Sequence, residues 1–294
     1  MTTPATSDQI IERNGVLVGP YRAPRNLAAN ERGSIHDDSV ATKLGFRGGT
    51  VAGSIHMEQF PPLLVRAFGE RWFETGGLSC YFRNATMHEE RVRPLAQTPS
   101  GASHDQVNIW MERNDGMQVL EGTASVGAPA EPSMLRRKLA EPREAGELRI
   151  LAHLAAGQTL DTKPSRLEFD ALTDRRIDAV TEPMPWYRDS SPWGGAIVNP
   201  GLLVHMMVQV EPGVREHQRV VGLYGAIETR HINGPIFMER DYEVSGKVLA
   251  LGTTPKTEYV WFETLMREPG GRDVASMLMM LRFMKASSPL WAPG

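Results

Sequence analysis

One cysteine, Cys80, occurs in 294 residues, which excludes an internal disulfide and a cysteine-based zinc site and fits a reducing compartment. No excess of positive charge is present: the formal net charge is −3, so the chain has no overall electrostatic pull on nucleic acid. The apolar segments stop well short of the roughly twenty residues that span a bilayer. The opening stretch, Met1 to Asp8, lacks the basic-then-apolar order of an export signal, and the expected compartment is the cytoplasm. Histidines are scattered: His88, His104, His153, His205, His217 and His231 fall in no metal-ligand spacing such as H-E-x-x-H, and no metal is expected. No serine sits in a G-x-S-x-G elbow.

What the chain does have is concentrated near its N-terminus. Glu31-Arg32-Gly33-Ser34-Ile35-His36 places a carboxylate five residues before an imidazole, and Gly48-Gly49-Thr50-Val51-Ala52-Gly53 follows as a glycine-rich turn into an apolar segment. A carboxylate and a histidine can divide the work of activating water and moving a proton. A small residue opening a helix offers a bare N–H to a developing oxyanion. These residue types in this order predict a lyase-type site.

The run resembles the motif of the MaoC-like family of (R)-specific enoyl-CoA hydratases and dehydratases, D-x-N-P-[LIV]-H followed by a small residue and then a glycine at the start of a central helix. Glu31 falls where the family has Asp, Gly33 where it has Asn, and Ser34 where it has Pro. Ile35-His36 match the apolar-His pair, and Ala41 matches the small residue. The resemblance implies an α+β double hotdog: two antiparallel sheets, each wrapped around a central helix, forming a pseudo-dimer in one chain. It implies reversible hydration of a trans-2-enoyl thioester without a cofactor, because the thioester itself acidifies the α-proton. Glu31 would activate water, His36 would exchange the α-proton, and the Gly53 N–H would polarise the carbonyl. Gly33, Ser34, Ala52 and His56 would contact substrate. The implied partner is an acyl thioester; no nucleic-acid or membrane partner is expected, and a homo-oligomer is expected.

An internal repeat points to two lobes. Gly77-Leu78-Ser79-Cys80-Tyr81 lines up with Gly222-Leu223-Tyr224-Gly225-Ala226, Gly48-Gly49 with Gly194-Gly195, and His36 with Tyr187. Shared order makes duplication the better account of matches that are individually weak. The expected division is an N-terminal lobe over 1–128 carrying the site, a crossover linker over 129–165, and a C-terminal lobe over 166–294. In the second lobe Glu182-Pro183-Met184-Pro185-Trp186-Tyr187 has tyrosine in place of histidine. Tyrosine titrates near 10 in model peptides, so Tyr187 is expected to shape the acyl tunnel rather than move protons.

Local patterns predict the elements. Residues 53–60 and 200–208 read as buried or amphipathic helices, Pro200 suiting a first turn and Pro61-Pro62 interrupting the first helix. Residues 107–111, 259–263 and 276–283 read as strands, the last apolar on both faces and so covered on both sides. Residues 128–142 change to proline and mixed charge, as a linker would. Within them Arg136-Arg137-Lys138 could meet phosphates, although a short basic run is more often solvated surface. Three rival functions stand beside the hydratase: an acyl-CoA thioesterase, a lyase or cyclase on a non-CoA substrate, and a non-catalytic acyl-ligand-binding protein.

Overall fold

The computed structural model describes residues 9–101, 104–141, 146–214 and 219–291; Met1 to Asp8, Pro142 and His217 lie outside them. In chain order the elements are β1 (Ile11–Arg13), β2 (Val16–Val18), α1 (Asp38–Lys43), α2 (Gly53–Met57), α3 (Pro61–Phe68), α4 (Trp72–Thr75), β3 (Gly77–Phe82), β4 (Val92–Gln97), β5 (Gln106–Arg113) and β6 (Gln118–Ser125). There follow α5 (Met134–Ala140), β7 (Thr159–Ser165), α6 (Ala171–Asp178), α7 (Pro200–Val208), β8 (Gly222–His231), β9 (Tyr242–Thr253), β10 (Thr257–Arg267) and β11 (Asp273–Met284).

All strands form one eleven-stranded sheet in the order β1-β2-β4-β5-β6-β3-β8-β11-β10-β9-β7. Reading outward from its centre, β3-β6-β5-β4-β2 on one side mirrors β8-β11-β10-β9-β7 on the other. The two halves meet where β3 pairs antiparallel with β8, in a register that sets Gly77 opposite Arg230 and Tyr81 opposite Ala226. The segments matched in the sequence repeat are therefore the two strands that join the halves.

The helices follow from their termini. Asn199 caps α7 by accepting from the Leu202 N–H at 2.8 Å, and Pro200 occupies the first turn, where a missing N–H costs nothing. α2 stops at Met57 and α3 begins with Pro61, so the proline pair starts a second helix instead of continuing the first. α7 is buried nearly all round, through Leu202, Leu203, Val204, Met206 and Met207, and packs against α2. Burying each such side chain contributes about 1.5–3 kcal/mol. The contact between the two central helices thus binds the halves from above as β3·β8 binds them within the sheet.

β11 has lost alternation because both its faces are covered. Met277, Met279, Leu281 and Phe283 enter the main core, while Leu278 and Met280 pack on the opposite face with Ala226, Trp261 and Leu135. Leu135 belongs to α5, which lies inside the stretch expected as linker. Ser133 caps this helix through the Arg136 N–H, and Arg136 pairs with Glu228 at 3.4 Å and Glu263 at 3.1 Å. Arg137 donates to the Pro132 carbonyl at 2.6 Å and Lys138 sits 4.6 Å above the Tyr81 ring. The basic run is thereby engaged with the sheet's outer face and its own cap. The same stretch ends in β7, which pairs with β9. Between them buried Glu258 accepts from the N–H groups of Arg149, Ile150 and Leu151 at 2.9–3.1 Å, pinning the crossover to β10.

Among the described residues no helix is long and apolar enough to cross a membrane.

Candidate active site

The stretch before α1 is held by its own polar groups. Gly33 adopts φ +83°, a conformation favouring glycine, and so turns the chain between Glu31 and His36. Ser34 donates to the Glu31 carbonyl at 2.8 Å and accepts from the His36 N–H at 3.1 Å. Asn26 donates to the His36 carbonyl at 2.9 Å. Asp37 caps α1, and Asp38 accepts from the Gly49 N–H at 2.9 Å. A Cβ at Gly49 would overlap the His36 carbonyl oxygen. The glycine pair therefore lets the turn lie directly against the histidine segment.

Across that contact the Thr50 N–H donates to the Ile35 carbonyl at 2.9 Å, and His36 Nδ1 lies 2.7 Å from the Thr50 carbonyl oxygen. A carbonyl only accepts, so Nδ1 carries the hydrogen and Nε2 is the nitrogen left for proton exchange. Gly53 opens α2 with no side-chain cap, leaving the first-turn N–H groups without a side-chain partner. A Cβ on Gly53 would come within 2.5 Å of the Phe82 ring. His56, buried one turn on, bonds through Nε2 to Thr86 Oγ1 at 2.7 Å, and burial lowers its pKa to about 4.

Two cavities meet here. The larger, about 410 Å³, runs between the 26–36 loop and α2 on one side and α6 and α7 on the other. The smaller, about 210 Å³, lies against α2, the end of β3 and the start of β8. Glu31, His36, Ala52 and Tyr224 line both. Ser34, Gly53 and His56 line the smaller one. Gly33 lines neither and acts through the turn it forms.

Tyr187 lines neither cavity, unlike the tunnel-wall position expected for it. Its backbone does match that of His36: Ile197 N–H donates to the Trp186 carbonyl at 2.8 Å as Thr50 N–H donates to Ile35. The side chain is only 1% exposed, its hydroxyl has no partner among the described residues, and burial raises its pKa well above the usual tyrosine range. Enclosure in the core keeps it from either cavity.

The larger cavity also contains residues that the sequence did not single out as a group. Glu58, which closes α2, is buried, and desolvation pushes its pKa up to about 8 against the opposing pull of Arg176. A Cβ at Gly201 would overlap the Glu58 carboxyl. α6 contributes Leu172, Arg175 and Arg176, and α7 contributes Gly201, Val204, His205 and Val208. These i, i+3, i+4 spacings mark one face of each helix. Among the described residues no group of three or more His, Cys, Asp or Glu side chains is arranged to hold a metal ion.

No family model matches the chain, and no curated protein matches it in sequence. Solved structures do match. A MaoC domain protein from Chloroflexus aurantiacus J-10-fl superposes with TM-score 0.58 at 12% identity, over 96% of this chain and 99% of that one. Rv0216 of Mycobacterium tuberculosis, described as having a double hotdog fold, superposes with TM-score 0.56 at 10% identity, covering 93% and 96%. The fold is a double hotdog. The dehydratase domain of PpsC from Mycobacterium tuberculosis, solved in complex with C12:1-CoA, is also similar, with TM-score 0.52 at 7% identity over 94% and 97%. The architecture implied by the MaoC-like resemblance is thus the one found, and the double-hotdog sheet carries its two central helices as α2 and α7.

Proposed function

We propose that the protein is a MaoC-like hydratase/dehydratase that reversibly adds water to a trans-2-enoyl thioester, giving a 3-hydroxyacyl thioester. The observation that carries this reading is the junction of the two cavities, where Glu31 and His36 share a wall beside the start of α2. Glu31 takes a proton from water as its oxygen bonds to C3. His36, with Nδ1 committed to Thr50, positions that water through Nε2 and relays the proton taken up by Glu31 on to C2, so that both residues end in the protonation state in which they began. The Gly53 N–H receives the thioester oxygen as charge builds on it. Removal of the side chain at Gly53 serves this approach as well as the Phe82 contact.

The resemblance in fold to the PpsC dehydratase domain supports the thioester class. The division 1–128, 129–165 and 166–294 is proposed with the first lobe catalytic, α5 and β7 being structured parts of the middle segment. The test is to incubate the protein with trans-2-enoyl-CoA thioesters of graded length and follow loss of enoyl absorbance, gain of water by mass and release of free thiol. Water gain without thiol release is expected. Thiol release with no hydrated product would assign the site to a thioesterase instead.

A further inference from the structure

We propose that the larger cavity receives a carboxylate at the far end of the acyl chain, so that the preferred substrate is a dicarboxylic acyl thioester. This rests on the thioester reading above and adds the chemical class of the acyl group. The argument begins with what the cavity wall offers. Arg176 of α6, His205 of α7 and Glu58 at the end of α2 converge on it from three elements. Among the described residues no carboxylate forms an ion pair with Arg176, and the Glu58 carboxyl makes no hydrogen bond. The Arg176 charge acts on both neighbours: it opposes the rise at Glu58, and at His205 it adds to the lowering that burial causes, against the opposite pull of Asp170.

These groups are all donors at neutral pH. Glu58 is held in its protonated form, the Arg176 guanidinium carries five N–H groups, and His205 has at least one ring N–H. A hydrocarbon tail filling the cavity would cover a cation, an acid and an imidazole without giving any of them a partner, which is unfavourable. A carboxylate accepts from all three, and its pairing with Arg176 is of the charge-assisted kind. The walls between, Ile55, Val204 and Val208, suit the methylenes that lead there. A coenzyme phosphate would accept from the same donors, and the binding of free CoA separates the two occupants.

Gly201 is part of the same device. Any side chain there would displace the Glu58 carboxyl from its place at the start of α7. The titratable or charged groups around this site are Arg175 and Arg176 from α6, Asp170 at the cap of α6, whose charge opposes the lowering at His205, His205 from α7, Tyr187 from the turn at 185–187, and Glu31 and His36 from the loop across the cavity. Tyr187 is moved above its ordinary range and His205 below its own, so a proton lost near pH 8 belongs to Glu58. Its ionisation would repel the bound carboxylate.

Calorimetric binding of saturated thioesters tests this without depending on turnover. Glutaryl-CoA and adipyl-CoA should bind at least tenfold more tightly than pentanoyl-CoA and hexanoyl-CoA at pH 7. The preference should shrink as pH rises through 8 in the parent, become pH-independent in Glu58→Gln, and vanish in Arg176→Gln. Equal binding of the two series, or tighter binding of the plain chains, overturns the proposal. So does an Arg176→Gln variant whose loss of affinity relative to the parent is as large for free CoA as for adipyl-CoA, since Arg176 would then hold coenzyme phosphate. Dicarboxylic preference without hydration of any enoyl-CoA would keep this assignment and remove the hydratase reading. Hydration of plain and dicarboxylic enoyl-CoA with no preference in binding would do the reverse.

Discussion

His36 and Thr50 are joined by a 2.7 Å hydrogen bond from the imidazole Nδ1 to the Thr50 carbonyl. The bond fixes the tautomer and the ring's direction together, and it depends on Gly49 having no side chain to push the two segments apart. In the other half the same backbone arrangement carries Tyr187, with its ring sealed in the core. The two halves thus share this backbone arrangement, with histidine at the position in one and tyrosine in the other.

Gly53→Ala should lower both stability and turnover, because its methyl would meet the Phe82 ring at 2.5 Å. Overpacking of this kind costs about 1–3 kcal/mol. Adding Phe82→Ala relieves the overlap. Denaturant unfolding of the single and double variants should show the stability loss of Gly53→Ala to be smaller when Phe82 is already alanine. An identical loss in both backgrounds would show that the ring contact is not the constraint on Gly53.

Tyr187→Phe should leave turnover within about twofold and leave stability equal or raised by roughly 1 kcal/mol, since the buried hydroxyl that it removes has no partner. Steady-state kinetics and a melting curve check this. A deep loss of turnover with the fold intact would move the chemistry to the second lobe.

Much of this was legible in the chain. Val107 to Met111 and Tyr259 to Glu263 are strands, and the doubly apolar 276–283 run is covered on both faces, as periodicity implies. The Pro61-Pro62 break and the Pro200 start were visible because proline acts locally. α5 was not visible: Leu135 is the buried anchor in a charged stretch, and its helix depends on Glu228 and Glu263 from distant strands. The far wall of the larger cavity was hidden for the same reason. Glu58, Arg176 and His205 are unremarkable one by one, and only the arrangement of α2, α6 and α7 around one cavity brings them together.

Stability should depend on pH in a way that names two residues. His231, buried against Trp72 and Phe73, has its pKa lowered to about 4 by burial. Below pH 6.5 the unfolded chain takes up a proton that the folded chain refuses, so stability is full above 6.5 and falls as pH drops toward 4. His231→Phe should therefore gain on the parent progressively over that interval. Glu58 has the opposite sign: raised to about 8, it keeps a proton that the unfolded chain loses, so stability falls as pH rises from about 4.5 to 8. Glu58→Gln should gain on the parent over that range. Chemical denaturation at pH 5, 6.5 and 8.5 checks both, and parallel profiles for parent and variants would contradict the burial argument.

The most direct measurement of the central claim is the single-turnover hydration of trans-2-enoyl-CoA thioesters, plain and dicarboxylic, by the parent, Glu31→Gln and His36→Ala. The account predicts a hydrated product from the parent, and a fall of about a hundredfold or more in the chemical step for each variant with melting unchanged, the range expected for loss of a proton-transferring group. Hydration at the parent rate by both variants would contradict it.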